Sequence, residues 1–303
     1  MQGLLLLDKP EGVTSYGAVA GVKRISGEKR VGHTGTLDPM ATGVLPVLLG
    51  RATALSSYLT DADKCYTATM KFGVETDTCD CTGTVLREQS AAVSRADAEA
   101  LLKKFCGTQE QTPPMYSAIK QNGVPLYRLA RQGKTAEIPS RTVTVYESEF
   151  LHLSADGTEL TFSVRVSKGT YIRSLCRDMG RFLGCGATMT ALRRTSTSGF
   201  TAEQCVHPSV LTAENFADYL LPAERAVANL PTVSVTEKQG IRFCNGGQLA
   251  LDRLSLAEVS DGALYRVRCK EEFLGLGKID RTREELAVQC VIRLPAAQGE
   301  ISG

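Results

Sequence analysis

Two segments of this 303-residue chain alternate apolar and polar residues, and the second changes to a helical period within a few residues. Tyr66, Ala68, Met70 and Phe72 alternate with Thr67, Thr69 and Lys71, the pattern of a strand buried on one face. Leu160, Phe162, Val164 and Val166 alternate likewise with Thr161, Ser163, Arg165 and Ser167. From Tyr171 the spacing is that of a helix, with Ile172, Leu175, Cys176, Met179, Phe182 and Leu183 on one side and Gly184 and Gly186 as a stop. Strands and helices without regular βαβ alternation predict an α+β fold, not a doubly wound one.

Residues 3–8 read as a short buried strand, and Thr14 or Ser15 as the cap of a helix carrying Val19, Val22 and Ile25. A glycine-rich loop follows, Gly32-His33-Thr34-Gly35-Thr36-Leu37-Asp38-Pro39-Met40-Ala41-Thr42-Gly43, and residues 44–49 after it read as a fully buried strand. Pro39 pushes the backbone of Asp38 towards an extended conformation, and the glycines let backbone approach a ligand. Two readings stand: Asp38-Pro39 makes a plain turn, or the loop presents a carboxylate.

Other chemistries find little support. Thr34-Gly35-Thr36-Leu37 has a partial likeness to the Asp-Lys-Thr-Gly-Thr signature of aspartyl-phosphate enzymes, but Gly32 and His33 occupy the Asp and Lys positions, so the nucleophile is missing. There is no Gly-x-x-x-x-Gly-Lys-Ser/Thr loop and no strand-linked Gly-x-Gly-x-x-Gly. The three histidines, His33, His152 and His207, have no metal-ligand spacing. Neither a metal nor another cofactor is expected.

Hydrophobic residues at 43% and charged residues at 22% are ordinary for a globular protein, and the length suits a large domain with a smaller one. The first residues lack the features of a secretory leader, and no run approaches the roughly 18 apolar residues of a membrane span. Ten cysteines without a Cys-x-x-Cys read as reduced, mostly buried thiols of a cytoplasmic protein. Between 160 and 200, Arg165, Lys168, Arg173, Arg177, Arg181, Arg193 and Arg194 face one acid, Asp178, which predicts a polyanion-binding face or a solvated basic one. The pattern shifts between Leu221-Pro222 and Leu230-Pro231. A compact tail follows, with alternating Tyr265, Val267 and Cys269 and a strand-like 273–279, resembling a small β-barrel; residues 296–303 read as a frayed end.

Asp8-Lys9-Pro10-x-Gly12-x-Thr14-Ser15 and the loop from Gly32 to Gly43 closely resemble the first two motifs of the TruB pseudouridine synthases. Asp63-Lys64-x-Tyr66, Thr76-Asp77-Thr78-x-Asp80, Pro113-Pro114-Met115-Tyr116-Ser117-Ala118-x-Lys120, Lys168-Gly169-Thr170-Tyr171-Ile172-Arg173 and Leu192-Arg193-Arg194-Thr195 continue the match in order. The resemblance implies a mixed, largely antiparallel catalytic domain with flanking helices over 1–228. It also implies a C-terminal PUA-like RNA-binding β-barrel over 229–303, on a weaker match.

By this resemblance Asp38 is the catalytic aspartate, for isomerisation of the uridine at position 55 in the T-loop of tRNA to pseudouridine. The N1–C1′ bond breaks, the uracil reorients, and C5 bonds to C1′. A carboxylate serves as nucleophile at C6 or C1′, or assists proton loss at C2′. Tyr66 is expected to stack on the flipped uracil and to act in proton transfer, and Arg173 to ion-pair with Asp38. Independently, a cation in the first turn of a helix meets the positive end of the dipole and calls for an anion. Tyr171 and Leu192 match positions lining the nucleotide pocket, and His33 one that holds the RNA open. Lys9, Lys64 and Lys120 are candidate phosphate contacts, while Arg177 and Arg181 are expected to meet phosphate or solvent. The expected partner is the tRNA T-arm, with no guide RNA, membrane or obligate protein partner, the protein acting as a monomer. The rivals are an RNA-binding or RNA-folding protein with a secondary site, and a guide-RNA-dependent relative.

Overall fold

The computed structural model describes residues 1–117, 119–121, 123–133, 137–256 and 259–293. The anticipated frayed end, 296–303, lies outside them. A nine-stranded sheet organises residues 3–201. Its strands are β1 (Gly3–Lys9), β2 (Val31–His33), β3 (Thr42–Leu49), β4 (Lys64–Phe72), β5 (Gly107–Gln111), β6 (Arg141–Leu153), β7 (Glu159–Val166), β8 (Ala187–Thr197) and β9 (Phe200–Thr201). They lie in the order β1-β3-β8-β4-β7-β6-β5, with β2 on β3 and β9 on β8. The α+β reading holds.

Every pairing in this sheet among the described residues is antiparallel except β3 with β8, where Arg193 and Arg194 stand opposite Thr42 and Gly43. The glycine-rich loop enters β3 at this junction. Gly43 also pairs with Lys9 of β1, has φ 101°, and would bring a Cβ within 2.2 Å of the Arg194 carbonyl. Only glycine fits where three strands converge.

Helix α1 (Ser15–Ser26) is capped by Thr14, whose hydroxyl accepts the Gly17 N–H. Its Ala18, Val19 and Val22 pack against Leu5, Leu7, Leu45, Val47 and Leu49. Leu4, Leu6, Val44 and Leu48 point the other way, into a cluster with Ala226, Val227, Leu276 and Ile292. Both faces of β1 and β3 are thus covered, which explains their unbroken apolar runs.

The alternating set of β4 and β7 faces α2 (Arg95–Lys104) and α3 (Ile172–Phe182) in one core, where Leu175, Cys176 and Met179 meet Ala68, Met70 and Phe162. Phe182 departs from the expected core face. It is 58% exposed and packs edge-on to Phe105 at 5.9 Å, because the helix ends there and its last turn passes the rim of the core.

In the tail, β10 (Thr232–Ser234), β11 (Leu249–Ala250), β12 (Leu264–Cys269), β13 (Glu272–Asp280) and β14 (Glu285–Val291) form a five-stranded sheet in the order β10-β12-β13-β14-β11. Helix α4 (Glu237–Cys244) closes it, Phe243 packing on Val233, Tyr265, Val267 and Leu286. Among the described residues no helix is long and apolar enough to cross a membrane.

Two expectations need correction. The cysteines are all free, but only Cys79 and Cys176 are buried, and Cys81 and Cys106 are exposed. The basic stretch does not form one open cationic face. Arg165 pairs with Glu147 and Asp63, Lys168 with Asp61, Arg177 with Asp178, Arg181 with Glu75, and Arg193 with Asp8. Arg173 and Arg194 are buried. Apart from Asp178, the acids that neutralise this segment come from outside its own window.

Candidate active site

Asp38 opens a tight turn in which the Ala41 N–H donates to the Asp38 carbonyl at 3.0 Å, with Pro39 next in the chain. The turn and the presented carboxylate are therefore one feature, not alternatives. The first motif holds this turn in place. The Lys9 ammonium donates to the carbonyls of Pro10, Val13 and Pro39 at 2.8, 2.6 and 3.1 Å, and Gly12 N–H reaches Pro39 O at 2.9 Å. The Ser15 hydroxyl accepts the Leu37 N–H at 2.8 Å and donates to its carbonyl at 3.0 Å. From β8, Arg194 donates to Gly35 O at 3.1 Å and Val44 O at 2.7 Å.

Arg173 sits in the first turn of α3 with only 5% of its side chain exposed. Its Nη2 donates to Asp38 Oδ1 at 3.1 Å, while Nε lies 2.9 Å from Oδ2 in a close ionic contact off the N–H axis. The same guanidinium donates to the carbonyls of Thr78 and Tyr116 at 3.1 and 2.9 Å. A second carboxylate, Asp80, stands 3.4 Å from Nη1 and is itself fixed by the Thr78 hydroxyl and by the N–H and hydroxyl of Thr82. Two acids thus share one buried cation. Sequence reasoning gave Asp80 no role, although it ends the quoted segment from Thr76.

Asp38 keeps 32% of its side chain open to solvent, which leaves a carboxylate edge for a ligand. Its surroundings nevertheless desolvate it enough to push its pKa above the ordinary carboxylate value. Arg173 and, more distantly, Lys9 pull it back down, and Asp80 pushes it further up.

Tyr66 on β4 and Leu192 on β8, which stands opposite Ala68 two residues along from Tyr66, are buried in the cluster that holds Leu37, Met40, Ala41 and Ile172, the neighbours of Asp38 and Arg173 in the chain. Tyr171 is the N-cap residue of α3. The side chain of buried Gln111 clamps its backbone from both sides, accepting Tyr171 N–H at 2.8 Å and donating to Tyr171 O at 3.1 Å. Arg141 lies over the Tyr171 ring at 5.2 Å. Ser174 and Arg177 both donate to Thr112 O, tying the 111–117 segment to α3. Gln111 had no visible signal in sequence, because a buried amide acting on backbone follows no period.

Other expected residues fall elsewhere. Lys9 is fully buried and its three N–H groups are spent on carbonyls, so it holds the loop and has no surface for phosphate. Burial lowers its pKa to about 8. Lys64 is half-buried, also lowered to about 8 by burial, and donates to the Thr60 and Ala62 carbonyls. The Lys120 side chain lies outside what is described. Arg177 and Arg181 are ion-paired and line a cavity of about 280 Å³ with Asp77, Cys79 and Met115. His33 is on β2 at a different cavity, its ring lowered in pKa by burial and by Arg194.

The family model described as TruB family pseudouridylate synthase (N terminal domain) matches residues 23–172, and that of the tRNA pseudouridylate synthase B C-terminal domain matches 173–228. A tRNA pseudouridine synthase B of Chromohalobacter salexigens is 46% identical over 91% of this chain and 90% of its own. The chain belongs to the TruB family of pseudouridylate synthases. Another relative of the same name, from Clostridium perfringens, is 43% identical over 92% of this chain and 96% of its own. Among solved structures, an H/ACA RNP bound to a substrate RNA containing 2′-deoxyuridine superposes with a TM-score of 0.72. It has 28% identity, over 96% of this TruB chain and 85% of that one. The archaeal box H/ACA sRNP Nop10–Cbf5 complex gives 0.72 at 30% identity, over 96% and 86%.

Proposed function

We propose that this TruB enzyme converts the uridine at position 55 in the T-loop of tRNA to pseudouridine, acting as a monomer in the cytoplasm without guide RNA. The observation that carries the chemistry is Asp38, presented at a solvent-open edge and held by a guanidinium buried behind it. The relatives named for tRNA and aligned nearly end to end support the substrate; the likeness to guide-RNP structures is more distant in sequence.

Isomerisation breaks N1–C1′, forms C5–C1′, loses the proton at C5 and adds one at N1, with no net change in electrons. Ionised Asp38 attacks C6 or C1′, or takes a proton from C2′. Arg173 keeps a negative charge tolerable in a largely dry site. Tyr66 offers a ring for the extruded uracil and a phenol for proton transfer at C5. Tyr171 and Leu192 line the same pocket. The tail from 229 acts as a PUA-like module on the same RNA, separate from the catalytic domain of 1–228.

The test is incubation of the purified protein alone with unmodified tRNA carrying tritium at C5 of uridine. Tritium release is expected without any guide RNA. Release only after a guide RNA is supplied would favour the guide-dependent reading instead.

A further inference from the structure

A second cavity, of about 320 Å³, opens beside His33, between the end of α1, the 27–30 turn and the segment after β3. Lys23, Lys29, Arg30 and His33 line it with the hydroxyl residues Thr53 and Ser56, and no carboxylate is among its lining residues. Lys23, Lys29 and Arg30 are exposed, and none forms an ion pair among the described residues.

The nearest acid in the chain is already committed. Glu28, the only acid between residues 12 and 37, binds the amino-terminal ammonium at 2.8 Å and accepts the Arg30 backbone N–H at 3.0 Å. This contrasts with the 160–200 stretch, whose cations are paired or buried in place. The unopposed positive charge sits at the end of α1 and in the turn just before β2, the strand that leads into the Asp38 loop. His33 Nδ1, on the same strand, is buried without a partner. Four residues lie between His33 and Asp38, five steps of chain with a reach of at most about 18 Å. Anything held here is within a few nucleotides of a base at Asp38.

We propose that this cavity seats backbone phosphates of the substrate RNA next to the extruded uridine, with Lys23, Lys29 and Arg30 as the contacts. The inference rests on the RNA-modifying reading above and assigns the ionic grip to a patch the sequence count did not single out.

The test compares wild type with Lys23→Gln/Lys29→Gln/Arg30→Gln for unmodified tRNA binding across a salt series, and for KM and kcat by tritium release. Removing three phosphate contacts should flatten the slope of log affinity against log salt by about 2 to 3, and raise KM far more than it lowers kcat. A control, Lys103→Gln/Lys104→Gln at the end of α2, removes charge elsewhere and should leave the slope at the wild-type value. All five side chains are on the surface, and melting curves check that each variant folds. A wild-type slope in the triple variant, weakened binding with an unchanged slope, or equal flattening in the control would each overturn the proposal. Failure of the wild-type protein to release tritium would instead sink the RNA-modifying reading itself.

Discussion

Arg173 contacts Asp38 through two nitrogens, at 3.1 and 2.9 Å, while a third nitrogen of the same guanidinium lies 3.4 Å from Asp80. The buried cation is therefore the hub of the site. Replacing it by methionine strands Asp80, which is 6% exposed, beside Asp38 without the cation the two acids share. Breaking such an arrangement typically costs about 3 to 5 kcal/mol, and the lower end applies here because Asp38 is partly solvated. We expect Arg173→Met to lower the chemical denaturation midpoint and abolish turnover. Arg173→Lys should retain more stability than activity, since a point ammonium cannot reach both acids and the Thr78 and Tyr116 carbonyls.

The Asp38 pKa is raised above its ordinary value, with burial the leading cause. The proposed reaction uses the ionised form, so the acid limb of kcat/KM should fall at higher pH than for a solvated aspartate. The stability linkage has the opposite sign to that of most paired carboxylates. A folded-state pKa above the unfolded one contributes stability below the unfolded value, and this is lost as pH rises through the folded value. Subtracting the pH–stability curve of Asp38→Asn from that of wild type isolates this contribution. It should decline with rising pH across that window; an increase would contradict the assignment.

Lys9→Met takes this donor from the carbonyls of Pro10 and Val13, while Pro39 O keeps the Gly12 N–H. An unsatisfied buried acceptor costs about 1 to 3 kcal/mol, and less where water can reach it as at these part-buried carbonyls, so we expect a modest loss of thermal stability. Because the ammonium does not face RNA, the salt dependence of tRNA binding by the folded fraction should not change. A flattened slope would restore Lys9 as a phosphate contact.

Gly43→Ala places a methyl group 2.2 Å from the Arg194 carbonyl, at a backbone angle that disfavours any side chain. The parallel β3–β8 junction must open to accept it. We expect a loss of stability and, because the Asp38 loop enters the sheet there, a fall in activity. Wild-type melting behaviour would show that the junction yields more easily than its geometry indicates.

The strands Lys64–Phe72 and Glu159–Val166 were legible because each buries one face, and a half-buried strand writes its period into the chain. The start of α3 was legible for the same reason, and Phe182 misled because spacing does not say where a helix leaves the core. The Asp38–Arg173 relationship was anticipated from the helix start and the family resemblance. Asp80, Gln111 and Ser15 were not, since each acts through a contact more than twenty residues away in the chain. Charge was the least legible property. Counting cations in a window cannot see Asp8, Asp61, Glu75 or Glu147 arriving from elsewhere, and it passed over the short unpaired set at Lys23, Lys29 and Arg30.

The central claim is that the Asp38 carboxylate itself performs the chemistry, and Asp38→Asn tests it most directly. The amide keeps the size of the side chain and removes one of the two acids sharing Arg173, so the variant should fold. It should bind unmodified tRNA within about tenfold of wild type, a margin of 1.4 kcal/mol, and release no tritium above background even in single turnover. Turnover comparable to wild type, or joint loss of binding and folding, would contradict the account and return Asp38 to the role of a turn residue.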